Sequence, residues 1–305
     1  MSIKSILTIF FCLMTRAFPF NDADADVLVQ SPFIISYAAQ DSEYAQNAAA
    51  ILAEAYEEII YDLQLAKADS FYVYIMPTRK AFQNAVQGRL PSWTGAFAHP
   101  AYHTMVVKSP RWHRSDSFRT ILIHELFHLV VHHHLGTRDF PRWLDEGLAI
   151  FYSGEERWKT ARALSKAIAT NSLIPLADID YVLEYHQAKA DLAYQQSYSA
   201  VYYLLVTYDI DAIRHIIHAL KKGESLQQCF LLATGSTLPD FEVEWQRYVR
   251  QTHRWFWFYE IDEYIWTLIF VLVVLAFVAR KIRNKKIEKT WQQEQESTSL
   301  NEQDT

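Results

Sequence analysis

Residues 124–128 read His124-Glu125-Leu126-Phe127-His128 within the apolar stretch Ser117 to Leu135. In an α-helix, residues four apart stand one turn apart on the same face, so the two imidazoles converge on one ion while Glu125 projects beside them toward a water held there. Those residue types at that spacing suit hydrolysis assisted by zinc, with a carboxylate as base. A catalytic zinc takes three protein ligands and keeps one position open, so a further ligand has to come from elsewhere. Two residues compete. His134 follows His128 at the end of the run His132-His133-His134. Glu146 lies in Phe140-Pro141-Arg142-Trp143-Leu144-Asp145-Glu146-Gly147-Leu148-Ala149. There Pro141 suits the first residue of a second helix, which would run back past the first after a turn over Gly136 to Asp139 and aim Glu146 at both histidines.

His134 stands where metzincins place their last histidine, but that pattern needs a glycine at the position of Val131. It also needs a methionine turn beneath the metal, whereas Met1, Met14, Met76 and Met105 all precede the motif. His132, His133 and His134 are therefore expected to form the solvated end of the helix. HExxH followed by P-x-W-L-x-E-G-L-A instead resembles the gluzincin metallopeptidases, in particular the peptidase MA-like family. The resemblance implies Zn2+ held by His124, His128 and Glu146, Glu125 as general base, and a peptide or protein substrate. It extends more weakly from Phe33 to the region of Trp245. Tyr194-Gln195-Gln196-Ser197 sits where related aminopeptidases carry Y-x-K-G, which implies for Tyr194 the role of stabilising the oxyanion. Gln196 and Ser197 depart from that pattern, and Tyr198 is the alternative. Gly95-Ala96-Phe97 falls where such enzymes have an edge strand that pairs with the substrate backbone. Their Gly-Ala-Met-Glu-Asn loop is not reproduced, so aminopeptidase activity is not expected. Thermolysin-like enzymes orient a zinc histidine with an Asp four residues after the glutamate ligand, where this chain has Ile150. Asp145 is expected to point elsewhere, leaving a backbone carbonyl or a distant acid such as Asp191 as partner.

Positioning such a site requires an α+β domain, expected over 31–253 as a small N-terminal sheet lobe (31–115) and a helical C-terminal lobe (116–253), the gluzincin, thermolysin-like arrangement. Phe33 to Ala38 and Phe71 to Ile75 read as strands, and the Ala-rich Tyr44 to Leu63 as a helix. Gly95 to Val107 reads as two short strands around a turn at His99-Pro100. From Ser117 onward the period is helical, with breaks at Gly136, Gly154, Pro175 and Gly235. Ser115, Asp116 or Ser117 would cap the motif helix.

The chain has 305 residues, half of them hydrophobic, with a net charge of −6 and two cysteines. That composition supports a sizeable core and argues against disorder. It excludes a disulfide framework and a cysteine-rich zinc module, and the mild acidity excludes nucleic acid as a partner. Two apolar runs stand apart from the domain. Lys4 before Ile6 to Met14 reads as a signal peptide over 1–25, with cleavage near Ala17, Ala23 or Ala25. Tyr264 to Ala279 is uncharged, preceded by Trp255, Trp257 and Tyr259 and followed by Arg280, Lys281, Arg283, Lys285 and Lys286. It is expected to be a transmembrane helix over 264–282, with a basic and polar tail (283–305) in the cytoplasm by the positive-inside rule and the catalytic domain outside. Thr290 to Thr305 is expected to be a short disordered tail. The rival from another class is a membrane scaffold that keeps this fold without turnover. An intramembrane protease is excluded, because the apolar stretch Ile121 to Val131 is too short to span.

Overall fold

The computed structural model describes residues 25–86, 95–113, 118–155, 162–252 and 262–303. The chain divides into two compact units, Met1–Thr252 and His253–Thr305. The first is mixed α+β, mostly helical with one small sheet.

That sheet contains β1 (Ala25–Gln30), β2 (Phe33–Ala38), β3 (Phe71–Met76), β4 (Ala96–His99) and β5 (Thr104–Lys108), in the order β1-β2-β3-β5-β4. The pairs β2–β3 and β3–β5 are parallel, while β1 and β4 add antiparallel edges. Side chains alternate across a strand, so Phe33, Ile35, Phe71, Val73 and Ile75 enter the main core. Val106 and Met76 face the other way, onto a small cluster with Phe82 of α2 (Arg79–Ala85). Strand β5, paired on both sides by β3 and β4, is buried on both faces. On the main side lies α1 (Ser42–Leu63), whose Ala45, Ala48, Leu52, Ala55, Ile59 and Leu63 form one buried stripe at helical spacing.

Helix α3 (Phe118–Leu135) carries the HExxH motif and is enclosed rather than amphipathic. Leu122, Ile123, Leu126, Phe127, Leu129, Val130 and Val131, which lie all round its axis, are buried against α1, the sheet and the helices that follow. The expected caps of this helix lie outside the described residues. After Gly136, in the left-handed conformation (φ 66°), the chain turns into α4 (Arg142–Ser153). Pro141 stands one position earlier than expected, just outside the helix, with its carbonyl accepting from the amides of Leu144 and Asp145. Then follow α5 (Arg162–Ala169), a 3-10 segment (Leu176–Glu184), α6 (Gln187–Lys222), α7 (Leu226–Thr234) and α8 (Leu238–Thr252). Non-helical backbone at Asp209 breaks α6 into two stretches.

The strands and helices expected over 33–107 are present, including the turn at His99-Pro100. Two expectations need correction. The sheet begins earlier than the domain was expected to, because Ala25–Gln30 forms the edge strand β1, which is largely exposed and so carries no alternating apolar signal. The rest of the signal segment, 1–24, lies outside the described residues. Second, the backbone of 290–303 continues in helix α9 (Asp262–Gln303) rather than being disordered, consistent with its content of good helix formers such as Gln and Glu. Among the described residues no helix is long and apolar enough to cross a membrane. The expected span falls within α9.

Candidate metal centre

Helical spacing in α3 brings the rings of His124 and His128 to 5.0 Å between centroids. Helix α4 returns alongside in the opposite direction and places Glu146 Oε2 3.4 Å from His124 Nε2 and 3.6 Å from His128 Nε2. The three ligand atoms lie within 4.8 Å of one another. Two imidazole nitrogens and one carboxylate oxygen gathered in a buried volume are the donor set of a zinc site with an open position, so the residues present fit the ion. The other oxygen, Glu146 Oε1, lies 3.3 Å from Arg142 Nε, one turn earlier on α4, which leaves a single oxygen directed at the histidines.

The tight packing of α4 on α6 explains the glycine that follows Glu146. A Cβ at Gly147 would come within 2.4 Å of the Ser197 carbonyl oxygen and 2.5 Å of Val201 Cγ2. Trp143, enclosed by Phe230 and Phe241 with ring centroids 5.9 Å away on each, anchors the start of α4 to α7 and α8. The same packing brings Tyr194 to the site. Burial pushes its phenol pKa far up, Glu146 is the strongest charged neighbour, and Glu125 and Glu155 add to the rise against Arg142. The hydroxyl therefore keeps its proton and remains a donor. Tyr198 packs its ring against Tyr202. Gln196, at the position of the expected lysine, clamps the backbone of Ile174, accepting from its N–H at 2.9 Å and donating to its carbonyl at 2.7 Å.

Glu125 faces the edge strand. Burial raises its carboxyl above the ordinary range and the charge of Glu146 adds to this, while His124, His128 and the Ala98 amide of β4 oppose it. Burial pulls the His124 imidazole down, but Glu146 and Glu155 outweigh it and hold it at about 9. His128 is raised well above its ordinary value by Asp145 and Glu146, again against burial. Asp145 and Glu146 are correspondingly driven well down by the imidazoles, despite burial. The acids thus favour the protonated imidazoles, and the imidazoles the ionised acids.

Asp145 does not point away from the site, contrary to expectation. It accepts from His128 Nδ1 through Oδ1 at 2.8 Å and from His132 Nε2 through Oδ2 at 2.8 Å. Adjacent residues diverge by about 100° around a helix, but α4 lies against α3 along the line between Asp145 and Glu146, so both acids face the histidine stripe. Asp191, the other acid considered, takes no part in either contact. Glu155, just beyond the Gly154 cap, lies 3.2 Å from His124 Nδ1 as an ion pair. Sequence reasoning missed Arg142, Glu155 and the role of Asp145. Of these, only Arg142 left a legible signal, one turn before Glu146.

The three consecutive histidines are not a solvated end either. His132 meets Asp145. His133 Nδ1 lies 3.1 Å from His103 Nε2, with its ring edge against Phe71. His134 is buried, 3.4 Å from Lys221 Nζ and edge-on to His218. Burial, with Lys221, His218 and His133, pushes its pKa down to about 4.

A family model described as the Peptidase MA superfamily matches residues 31–251. The chain belongs to that superfamily, and its fold is metallopeptidase-like. No match was found among curated proteins.

Proposed function

We propose that this chain is a zinc-dependent peptidase of the gluzincin type, with a sheet lobe and a helical lobe meeting at the site. The observation that carries this reading is the convergence of His124 Nε2, His128 Nε2 and Glu146 Oε2, with Glu125 beside them under the edge strand β4. Zinc held by His124, His128 and Glu146 would polarise the scissile carbonyl and a water. Glu125 accepts the proton of the attacking water and delivers it to the leaving amine, a task helped by a carboxyl raised above its usual range. Tyr194 donates its hydroxyl proton in a hydrogen bond to the carbonyl oxygen as negative charge builds there. The edge strand β4 offers its backbone to an extended peptide. Arg142 keeps Glu146 directed at the histidines.

The support for turnover, rather than a scaffold role, is that both histidines, the glutamate and the base are all present and gathered. Glu125→Gln should retain zinc and lose peptide hydrolysis; hydrolysis that survives in that variant ends the mechanism. We further propose that a signal segment exports the domain and that 264–282 tethers it to the membrane, with the tail in the cytoplasm. The apolar run and the cationic cluster after Ala279 support this. Protease added to intact cells should release the domain by cutting near Thr252, and a protected domain would reverse the orientation.

A further inference from the structure

Resting on the zinc centre proposed above, we infer that His132 is a positioning residue for that centre, acting through Asp145 on the ring of His128. His124, His128 and His132 stand on three successive turns of α3. The first two face Glu146. The third reaches the neighbouring acid, so one face of α4 serves all three rings through two adjacent carboxylates. Asp145 is 4% exposed and both its oxygens are engaged, each 2.8 Å from a ring nitrogen.

An ionised carboxylate only accepts, so both ring nitrogens donate. A neutral His128 with its proton on Nδ1 has its lone pair on Nε2, the atom directed at Glu146. Asp145 therefore selects the tautomer that can bind a metal and fixes the plane of the ring. Held by one oxygen alone, the carboxylate could turn about its terminal torsion, which is broad for Asp. The bond from His132 removes that freedom. Phe140 also packs edge-on to the His132 ring, with centroids 6.2 Å apart.

His128, His132 and Asp145 are also close enough to hold a cation themselves. The 2.8 Å separations are those of completed hydrogen bonds, however, and a second ion would have to displace the proton of His128 Nδ1. The geometry therefore favours one ion and a hydrogen-bonded support.

The test is zinc titration of the metal-free full-length chain against a competing chelator, together with the visible spectrum of the Co2+-loaded protein. Loss of an outer-shell partner typically costs 10–100-fold in metal affinity. Asp145→Asn should fall in that range and His132→Leu near its lower end, about 10-fold, with shifted Co2+ bands. His132→Gln retains an N–H donor and should recover most of the loss. In the Asp145→Asn background His132→Leu should add nothing, because its effect passes through Asp145. If His132→Leu does not fold, His132→Ala, which removes the donor without forcing an apolar group against Asp145, carries the same expectation. A His132→Leu or His132→Ala chain with wild-type affinity and spectrum overturns the positioning role, as do two ions per wild-type chain. A wild-type chain that binds no zinc overturns the metal centre itself, and this inference with it.

Discussion

Both ends of helix α3 carry histidines and use them differently. At the N-terminal end His124 and His128, four apart, direct their Nε2 atoms at one carboxylate oxygen. At the C-terminal end His132, His133 and His134, one apart, diverge toward three partners: Asp145 on α4, His103 before β5 and Lys221 on α6. Spacing is what separates them. Four residues nearly complete a turn and bring donors together, whereas consecutive residues fan out by about 100° each. Residue type alone does not make a metal site. Imidazoles that diverge are absorbed as polar contacts in and around the core.

Perturbing each end should therefore give effects of different kinds. The largest is expected at the converging end, where Glu125→Gln should lower peptide hydrolysis by roughly 10²–10⁴-fold, the usual contribution of a general base. His133→Asn should leave turnover on the same peptide within a few-fold. A comparable loss in both variants would erase the distinction. Next is Tyr194→Phe, which removes one donor to the developing oxyanion and should cost about 10²–10³-fold in kcat with KM little changed. If Tyr198→Phe has that effect instead, the assignment moves one turn along α6.

Gly147→Ala probes how α4 is held at the distance the converging end needs. With the Ser197 carbonyl 2.4 Å from the new Cβ, the helices must part, at a cost of about 1–3 kcal/mol as for other overpacked cores. Denaturant midpoints should report that loss and zinc affinity should fall with it. The smallest effect is at the diverging end. His134 has its folded-state pKa near 4, below the ordinary 6.5. Between those values the unfolded chain takes up a proton that the folded chain refuses. The contribution is fully present above pH 6.5 and is lost as the pH falls toward 4. His134→Gln should flatten that part of the stability profile, measured by denaturant unfolding at several pH values. An unchanged slope would mean that another group carries it.

Much of this was legible beforehand. The pairing of His124 with His128 follows from the helical period, and Glu146 from a proline and a short turn that fold α4 back. Strands β2, β3 and β5 announced themselves through Phe, Ile and Val runs. Strand β1 did not, because an exposed edge buries little. Glu155 was equally invisible, since it lies past the end of α4, where no period applies.

By itself, the sequence determined that His124 and His128 share one face, that Glu125 stands beside them, and that a short turn returns Glu146 toward them. These depend on backbone geometry within one element or across one short turn. Only the tertiary structure decided how α4 is rotated and how closely it approaches α3 and α6. That placed Asp145 on His128 and His132, put Arg142 on Glu146, made Gly147 obligatory and brought Tyr194 from a distant helix to the site. Rotation and approach are set by packing across the whole core, where Trp143, Phe230, Phe241 and Val201 meet, and no local pattern of residues encodes that balance.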